Sequence, residues 1–116
     1  MFLMKLIPTG RRVRGKDVFL EEHASRRVSE RGISVDKVIS TIRRPSELYL
    51  ERKYRPLLPH MKRYVAVRVK NDMVNIVVYD ENENVIIITS WDMKPVDRYK
   101  RYKESKLEKN MWEKIK

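Results

Sequence analysis

The chain has no cysteine and no glutamine, and only three glycines and two histidines among its 116 residues. Without a thiol, disulfides, thiolate nucleophiles and thiolate metal sites are excluded. His23 and His60 do not make a metal site by themselves, and no spacing of carboxylates around them suggests one. The expectation is therefore a protein without metal or other cofactor. Long apolar runs are missing too: the opening MFLMKLIP is too short for a membrane span or a signal-peptide core. That points to a cytoplasmic protein with no membrane partner. The lack of glutamine, with 37% of residues charged, resembles the composition of thermophile proteins, in which amides are labile and ion-pair networks are favoured.

What the chain has in excess is positive charge. Lys and Arg number 27 against 16 Asp and Glu, a formal net charge of +11. The excess is spread along the chain: residues 93 to 116 hold nine basic and four acidic side chains, a net of +5, which leaves +6 for the first 92. Self-repulsion on this scale is relieved by a polyanion, so nucleic acid is the leading partner class. Charge for solubility, or attraction to an anionic membrane surface, is the competing explanation.

The hydrophobic pattern divides the chain in two. Residues 2 to 7 read as a short edge strand ended by Pro8, and TGRRVRGKD reads as a mobile cationic loop. Leu20, Ala24 and Val28 recur every fourth residue and predict a first helix from Val18 or Phe19 to Arg31, closed by Gly32. Ser34 then caps a second helix, with Asp36 in its first turn and Val35, Val38, Ile39 and Ile42 on one face, ending before Pro45. From Glu47 the period shortens. ELYLERKY alternates Leu48 and Leu50 against Glu47, Tyr49 and Glu51. After a proline-marked loop, YVAVRV, VNIVVY and VIIITSW read as a meander. The last of these is apolar on both faces and predicts a central strand. After Pro95 the pattern reads as helical to the end. The fold class is thus α+β: an N-terminal helix hairpin on a small curled antiparallel sheet of three to five strands, followed by a basic C-terminal helix. Residues 1–95 form the domain and 96–116 a helical extension, with one sheet face left partly free for a partner or substrate.

The stretch HASRRVSERGI, residues 23 to 33, holds the most chemistry. His23, Arg27 and Arg31 are spaced four apart and share one helix side with no acid between them, whereas Glu22, Arg26 and Glu30 neutralise one another on the adjacent face. An anion bound between the two arginines would relieve their repulsion. The other reading pairs them with acids elsewhere, such as Glu47 or Glu51, and makes His23 a spacer.

HASRRVSERGI resembles the opening signature, His-Ala-x-x-Arg-x-x-x-Arg-Gly-Ile, of a family of small uncharacterised bacterial and archaeal domains. SVDKVISTIRRP fits the second helix of that pattern, and the three strands ending in VIIITSW fit its sheet. The family is similar in layout to RelE/ParE-type toxins and the related BrnT toxins, and the likeness covers about residues 18 to 92. It implies metal-independent cleavage of RNA, in which the 2′-hydroxyl attacks phosphorus and leaves a 2′,3′-cyclic phosphate. Such a reaction needs a proton acceptor, a proton donor and cations around the phosphorane. On that reading His23 exchanges the proton, Arg27 clamps the phosphate and Arg31 extends the clamp. Arg52, Lys53 and Arg68 reach the same cleft from strands, and Tyr64 and Trp91 donate a hydrogen bond or stack on a base. The resemblance also implies a cognate antitoxin as a protein partner.

Each of these residues has a structural alternative. Tyr64 and Trp91 suit a core or sheet face, Glu51 suits an ion pair as well as a general base, and His60 suits an exposed, idle place in the proline loop. In the last segment, Arg98, Arg101 and the neighbouring lysines interleave with Tyr99, Tyr102 and Trp112, a pattern that suits nucleic-acid contact. The same segment suits docking on the sheet, or on a second copy in a homodimer, through Leu107, Met111 and Ile115. Because no second acid–base residue completes a pair with His23, the first expectation is a protein that binds nucleic-acid phosphates, RNA ahead of DNA, through a basic cleft. The alternative is the endoribonuclease, and a more distant one is a module that binds an acidic protein.

Overall fold

A computed structural model of the chain describes residues 5–116. Seven strands and three helices follow one another as β1 (Leu6–Val13), β2 (Lys16–Glu21), α1 (Glu22–Glu30), α2 (Val35–Arg43), β3 (Glu47–Glu51), β4 (Lys62–Lys70), β5 (Met73–Glu81), β6 (Val85–Met93), α3 (Val96–Glu108) and β7 (Trp112–Lys114). The fold is α+β, but the sheet is larger than expected and mixed. Its order is β1-β2-β6-β5-β4-β3-β7, antiparallel throughout except for the parallel pair β2 and β6.

The predicted meander is β4, β5 and β6, each a residue or more longer than its apolar run. Residues 2 to 4 of the expected edge strand lie outside the described residues. The segment TGRRVRGKD is not a loop: it forms most of a hairpin, with Val13 opposite Lys16 and a turn at Arg14 and Gly15. Both turn residues have positive φ, 51° and 75°, which matches the right-handed twist of the flanking strands. Pro8 is tolerated because β1 is an edge strand.

The first helix starts later than its apolar spacing suggests. Val18 and Leu20 are buried as alternate residues of β2, and α1 begins only after Glu21. The Glu21 carboxylate accepts hydrogen bonds from the His23 and Ala24 amides at 3.0 and 3.3 Å and caps the helix. Gly32, at φ +66°, ends α1 as expected. The Gly32 amide donates to the Ser29 carbonyl and the Ile33 amide to that of Val28, which is the Schellman arrangement, with Ile33 and Val28 both buried in one cluster. Ser34 caps α2 through the Lys37 amide at 3.1 Å.

Successive residues of β4 point into two different cores. Ala66 packs with Ala24, Val28, Val38, Ile39, Ile42, Val77 and Ile87 beneath α1 and α2. Val65 and Val67 pack with Tyr49, Val74, Ile76, Tyr99 and Trp112 beneath α3. Both sheet faces are therefore covered, and the face expected to be partly free is occupied by α3. The C-terminal segment is not helical to its end. Asn110 at φ 55° turns the chain, its amide and that of Met111 satisfy the carbonyls of Leu107 and Lys106, and β7 returns to pair with β3. Trp112 is buried, stacked on Tyr49 at 5.0 Å with Tyr102 edge-on at 5.6 Å. Trp112 and Met111 thus serve the chain's own second core, while Leu107 and Ile115 stay exposed.

Candidate functional site

The residues singled out from sequence fall on separate parts of the surface. His23 and Arg27 are exposed on α1, flanking the buried Ala24 and Val28. Arg31 reaches β6, where its guanidinium donates to the Ser90 carbonyl at 2.8 Å and to Thr89 Oγ1 at 3.4 Å. None of the three lines any of the three cavities described here. Neither acid suggested for the α1 arginines is their partner. Glu47 is taken up by Tyr49, Tyr99 and Lys103, and Glu51 accepts the amides of Lys53 and Tyr54. Arg52 pairs with Glu113 at 2.7 Å and lines a shallow cavity of about 310 Å³; Lys53 lies over the Tyr54 ring. Trp91 is half-buried with its ring edge-on to Tyr102 at 6.2 Å, and Arg98 and Arg101 are exposed on α3.

Tyr64 and Arg68 do line cavities, at opposite ends of β4. The cause is length. The nine residues of α2 rise ~14 Å, whereas the nine of β4 extend ~30 Å, so the helix leaves part of the strand face beneath it uncovered. Past the end of α2, at Pro45, the uncovered face is a cleft of about 600 Å³ floored by Ile42, Leu48, Tyr64 and Tyr79. The two tyrosine rings stack at 5.6 Å with 27° between their planes. Burial pushes the Tyr79 phenol up to about 12, so it remains a neutral hydroxyl at physiological pH.

The rim of this cleft is cationic. Arg14 and Lys16 reach in from the hairpin turn, Arg43 from the last turn of α2, Lys62 from the start of β4 and Lys116 from the chain's end, with His60 between them. Glu81 is the one side-chain carboxylate among these lining residues. It is held by Lys16 at 2.7 Å and by Arg14 through two guanidinium nitrogens. Arg43 donates to the Arg12 carbonyl, which fixes the helix end to the hairpin. Among the described residues, Lys62 and Lys116 have no carboxylate partner. The proline loop is anchored from below: Asp80, fully buried, accepts the Leu57 amide at 2.7 Å and both Arg63 Nε and Nη2 at 2.7 and 3.1 Å. That anchor sets where His60 stands.

Sequence reasoning found only Tyr64 of this cleft and set His60 aside. The signal for Lys62 was available, since it stands two residues before Tyr64 and hence on the same strand face. Arg14 and Lys16 could be placed only once RGK was read as a hairpin turn. Lys116 needed the return strand β7.

No curated protein and no solved structure matches this chain. Residues 20–92, which run from the end of β2 through nearly all of β6, match the family model described as "Domain of unknown function (DUF4258)", and the chain belongs to that family.

Proposed function

We propose that the protein binds nucleic acid, with RNA preferred over DNA, by seating phosphates on the rim of the cleft at the end of α2. One observation carries the reading: five cations and His60 surround a floor of two stacked tyrosines, with Glu81 as the single opposing side-chain carboxylate among the lining residues. Glu81 cancels about one of the five charges, which leaves an excess of four for phosphate. Tyr64, half-buried and backed by the buried Tyr79, offers a π-rich surface on which an unpaired base can stack, so a single strand fits better than a duplex. The net charge of +11 supplies the long-range attraction that brings such a ligand in. HASRRVSERGI resembles the opening of a family of small uncharacterised domains, and that family's likeness in layout to RelE/ParE-type and BrnT toxins agrees with an RNA ligand, although His23 is outside this cleft.

The test is fluorescence anisotropy with a labelled single-stranded RNA and with duplex DNA of equal length. Arg43→Ala combined with Lys62→Ala should weaken RNA binding by at least ~30-fold, since each lost phosphate contact is worth about a kcal/mol or more. Arg26→Ala combined with Arg27→Ala on α1 should change it by about twofold or less. Equal losses from the two pairs would mean that general charge, and not this cleft, holds the ligand.

A second reading, cleavage to 2′,3′-cyclic phosphate ends, has one observation in its favour: His60, Tyr64 and Glu81 line the same cleft as the cations. His60 would exchange the proton there, while Arg14 and Lys62 would balance charge on the phosphorane. End-labelled RNA incubated in EDTA with the wild type and with His60→Ala decides it. Cyclic-phosphate products from the first protein alone support cleavage, and intact RNA with both leaves binding as the function.

A further inference from the structure

At the other end of β4, beyond the N-terminal half of α2, lies a separate cavity of about 530 Å³. We propose that it is a binding site for a small organic phosphate, a phosphomonoester of about mononucleotide size. This inference does not depend on the nucleic-acid reading of the first cleft.

Three observations support it. First, the lining has four cations, Lys37, Arg68, Lys70 and Lys94, against one carboxylate, Asp72. Asp72 is already engaged, since its Oδ1 accepts the Val96 amide at 3.2 Å. Arg68 makes one hydrogen bond, to the Ser40 carbonyl at 3.3 Å, which leaves most of its fork free. Among the described residues Lys70 and Lys94 have no ion-pair partner. Lys37 is paired with Asp92, so an excess of two positive charges remains, which matches a dianionic phosphate better than a single carboxylate.

Second, the floor is built from polar side chains in a place where an apolar one would pack more simply. Asn75, in a β5 segment whose neighbours are Val74, Ile76 and Val77, is 3% exposed, and Thr41 of α2 above it is fully buried. Thr41 Oγ1 donates to Asn75 Oδ1 at 2.6 Å, and Asn75 Nδ2 donates to Ser90 Oγ at 3.1 Å and Asp92 Oδ1 at 2.9 Å. Asp92 Oδ2 in turn accepts from Lys37 Nζ at 2.8 Å. A chain of side chains that starts buried at Thr41 and Asn75 thus runs outward through Asp92 to a lysine and fixes its ammonium at the cavity wall.

Third, size and wall chemistry agree. The volume lies within the usual range for small-molecule sites, roughly 300–1,000 Å³. Between the charged groups the wall is Met73 and the aliphatic stems of the lysines, which suits a sugar or a ring. The phosphate would meet Arg68, Lys70 and Lys94 at the mouth, and the organic part would lie against Met73 above Thr41 and Asn75.

The probes are 5′-AMP, ribose 5-phosphate, adenosine and inorganic phosphate, titrated by calorimetry and by amide NMR shifts on the full chain. Saturable binding of 5′-AMP at millimolar or lower concentration is expected, with shifts clustered at residues 70–75 and Lys94. Adenosine should not bind, and inorganic phosphate should bind more weakly than either phosphomonoester. Arg68→Ala and Lys70→Ala, each confirmed to unfold at the wild-type temperature, should weaken 5′-AMP by about tenfold or more. Arg43→Ala combined with Lys62→Ala, in the first cleft, should leave it within about twofold. Absence of saturation, shifts confined to Arg14, Lys16 and Lys62, or inorganic phosphate binding as tightly as 5′-AMP would each overturn the assignment. Failure of the first cleft to bind RNA would leave it untouched.

Discussion

Asp80→Ala removes the acceptor that holds the proline loop, and its effect can be worked out from the contacts it deletes. The carboxylate is fully buried and takes three donors, two from Arg63 and one from the Leu57 amide. In the variant the Arg63 guanidinium, whose side chain is only 11% exposed, keeps its charge without a partner, and the Leu57 N–H loses its acceptor. Breaking a buried pair from one side typically removes ~3–5 kcal/mol. A loss of about 4 kcal/mol in a domain of this size lowers Tm by roughly 15 °C. Arg63→Leu added to Asp80→Ala removes the stranded charge and should restore about half of that loss, which is the signature of an ion pair rather than of packing alone. Thermal and urea unfolding followed by circular dichroism give both numbers. Limited proteolysis of the native variants should meanwhile show faster cutting between Tyr54 and His60. A single variant within ~1 kcal/mol of wild type, or a double variant no better than the single, would refute this account of what positions the loop.

Other outcomes follow from the same contacts. Burial alone pushes the Glu47 carboxyl up, but hydrogen bonds from Tyr99, Tyr49 and Lys103 outweigh it and hold the group below its ordinary value. That stabilisation is full above the unfolded carboxyl range and disappears as pH falls through the folded value. The urea midpoints of wild type and Glu47→Gln should therefore differ at about pH 7 and draw together as pH falls below the ordinary carboxyl range. If the cleft excess of four charges seats phosphates of a single strand, log affinity should fall against log salt with a slope near −3, about 50-fold between 50 and 200 mM; a flat response would remove phosphate neutralisation as the driving term. Gly32→Ala should lose ~1 kcal/mol in thermal unfolding: no atom stands within 4 Å of the added Cβ, so the whole loss comes from φ +66°.

How far the sequence could be read depended on whether the signal was local. Ser34 and Gly32 act on amides within a few residues, and both helix ends were legible. The strands β4, β5 and β6 have short turns between them and stand out as apolar runs. The errors came from long-range pairing. Leu20 fits a helical stripe with Ala24 and Val28 by spacing, yet a parallel partner sixty-seven residues away, Ile87, claims it for the sheet. The strand Trp112–Lys114 is only three residues long, and its pairing with β3 leaves no local trace apart from the turn-forming Asn110. The charged cluster on α1 was conspicuous because its residues are close in sequence. The cleft escaped notice because its six basic groups come from the hairpin, α2, the proline loop, β4 and the chain's end. Tyr64 was the one residue to appear in both lists, since a tyrosine beside a basic residue on a strand shows in the primary pattern.

The lone parallel ladder has a consequence for how the chain acquires its structure. Only three registered pairs, Val18, Phe19 and Leu20 with Val85, Ile86 and Ile87, join the N-terminal hairpin to the remaining strands. On a translating ribosome, the first twenty residues therefore emerge long before their partner exists. The meander can assemble by neighbour-to-neighbour zipping, whereas the hairpin must wait with Val18 and Leu20 in water, and its docking is the high-contact-order, late event of folding. Substitutions at Val18 or Ile87 should accordingly speed unfolding far more than they slow refolding.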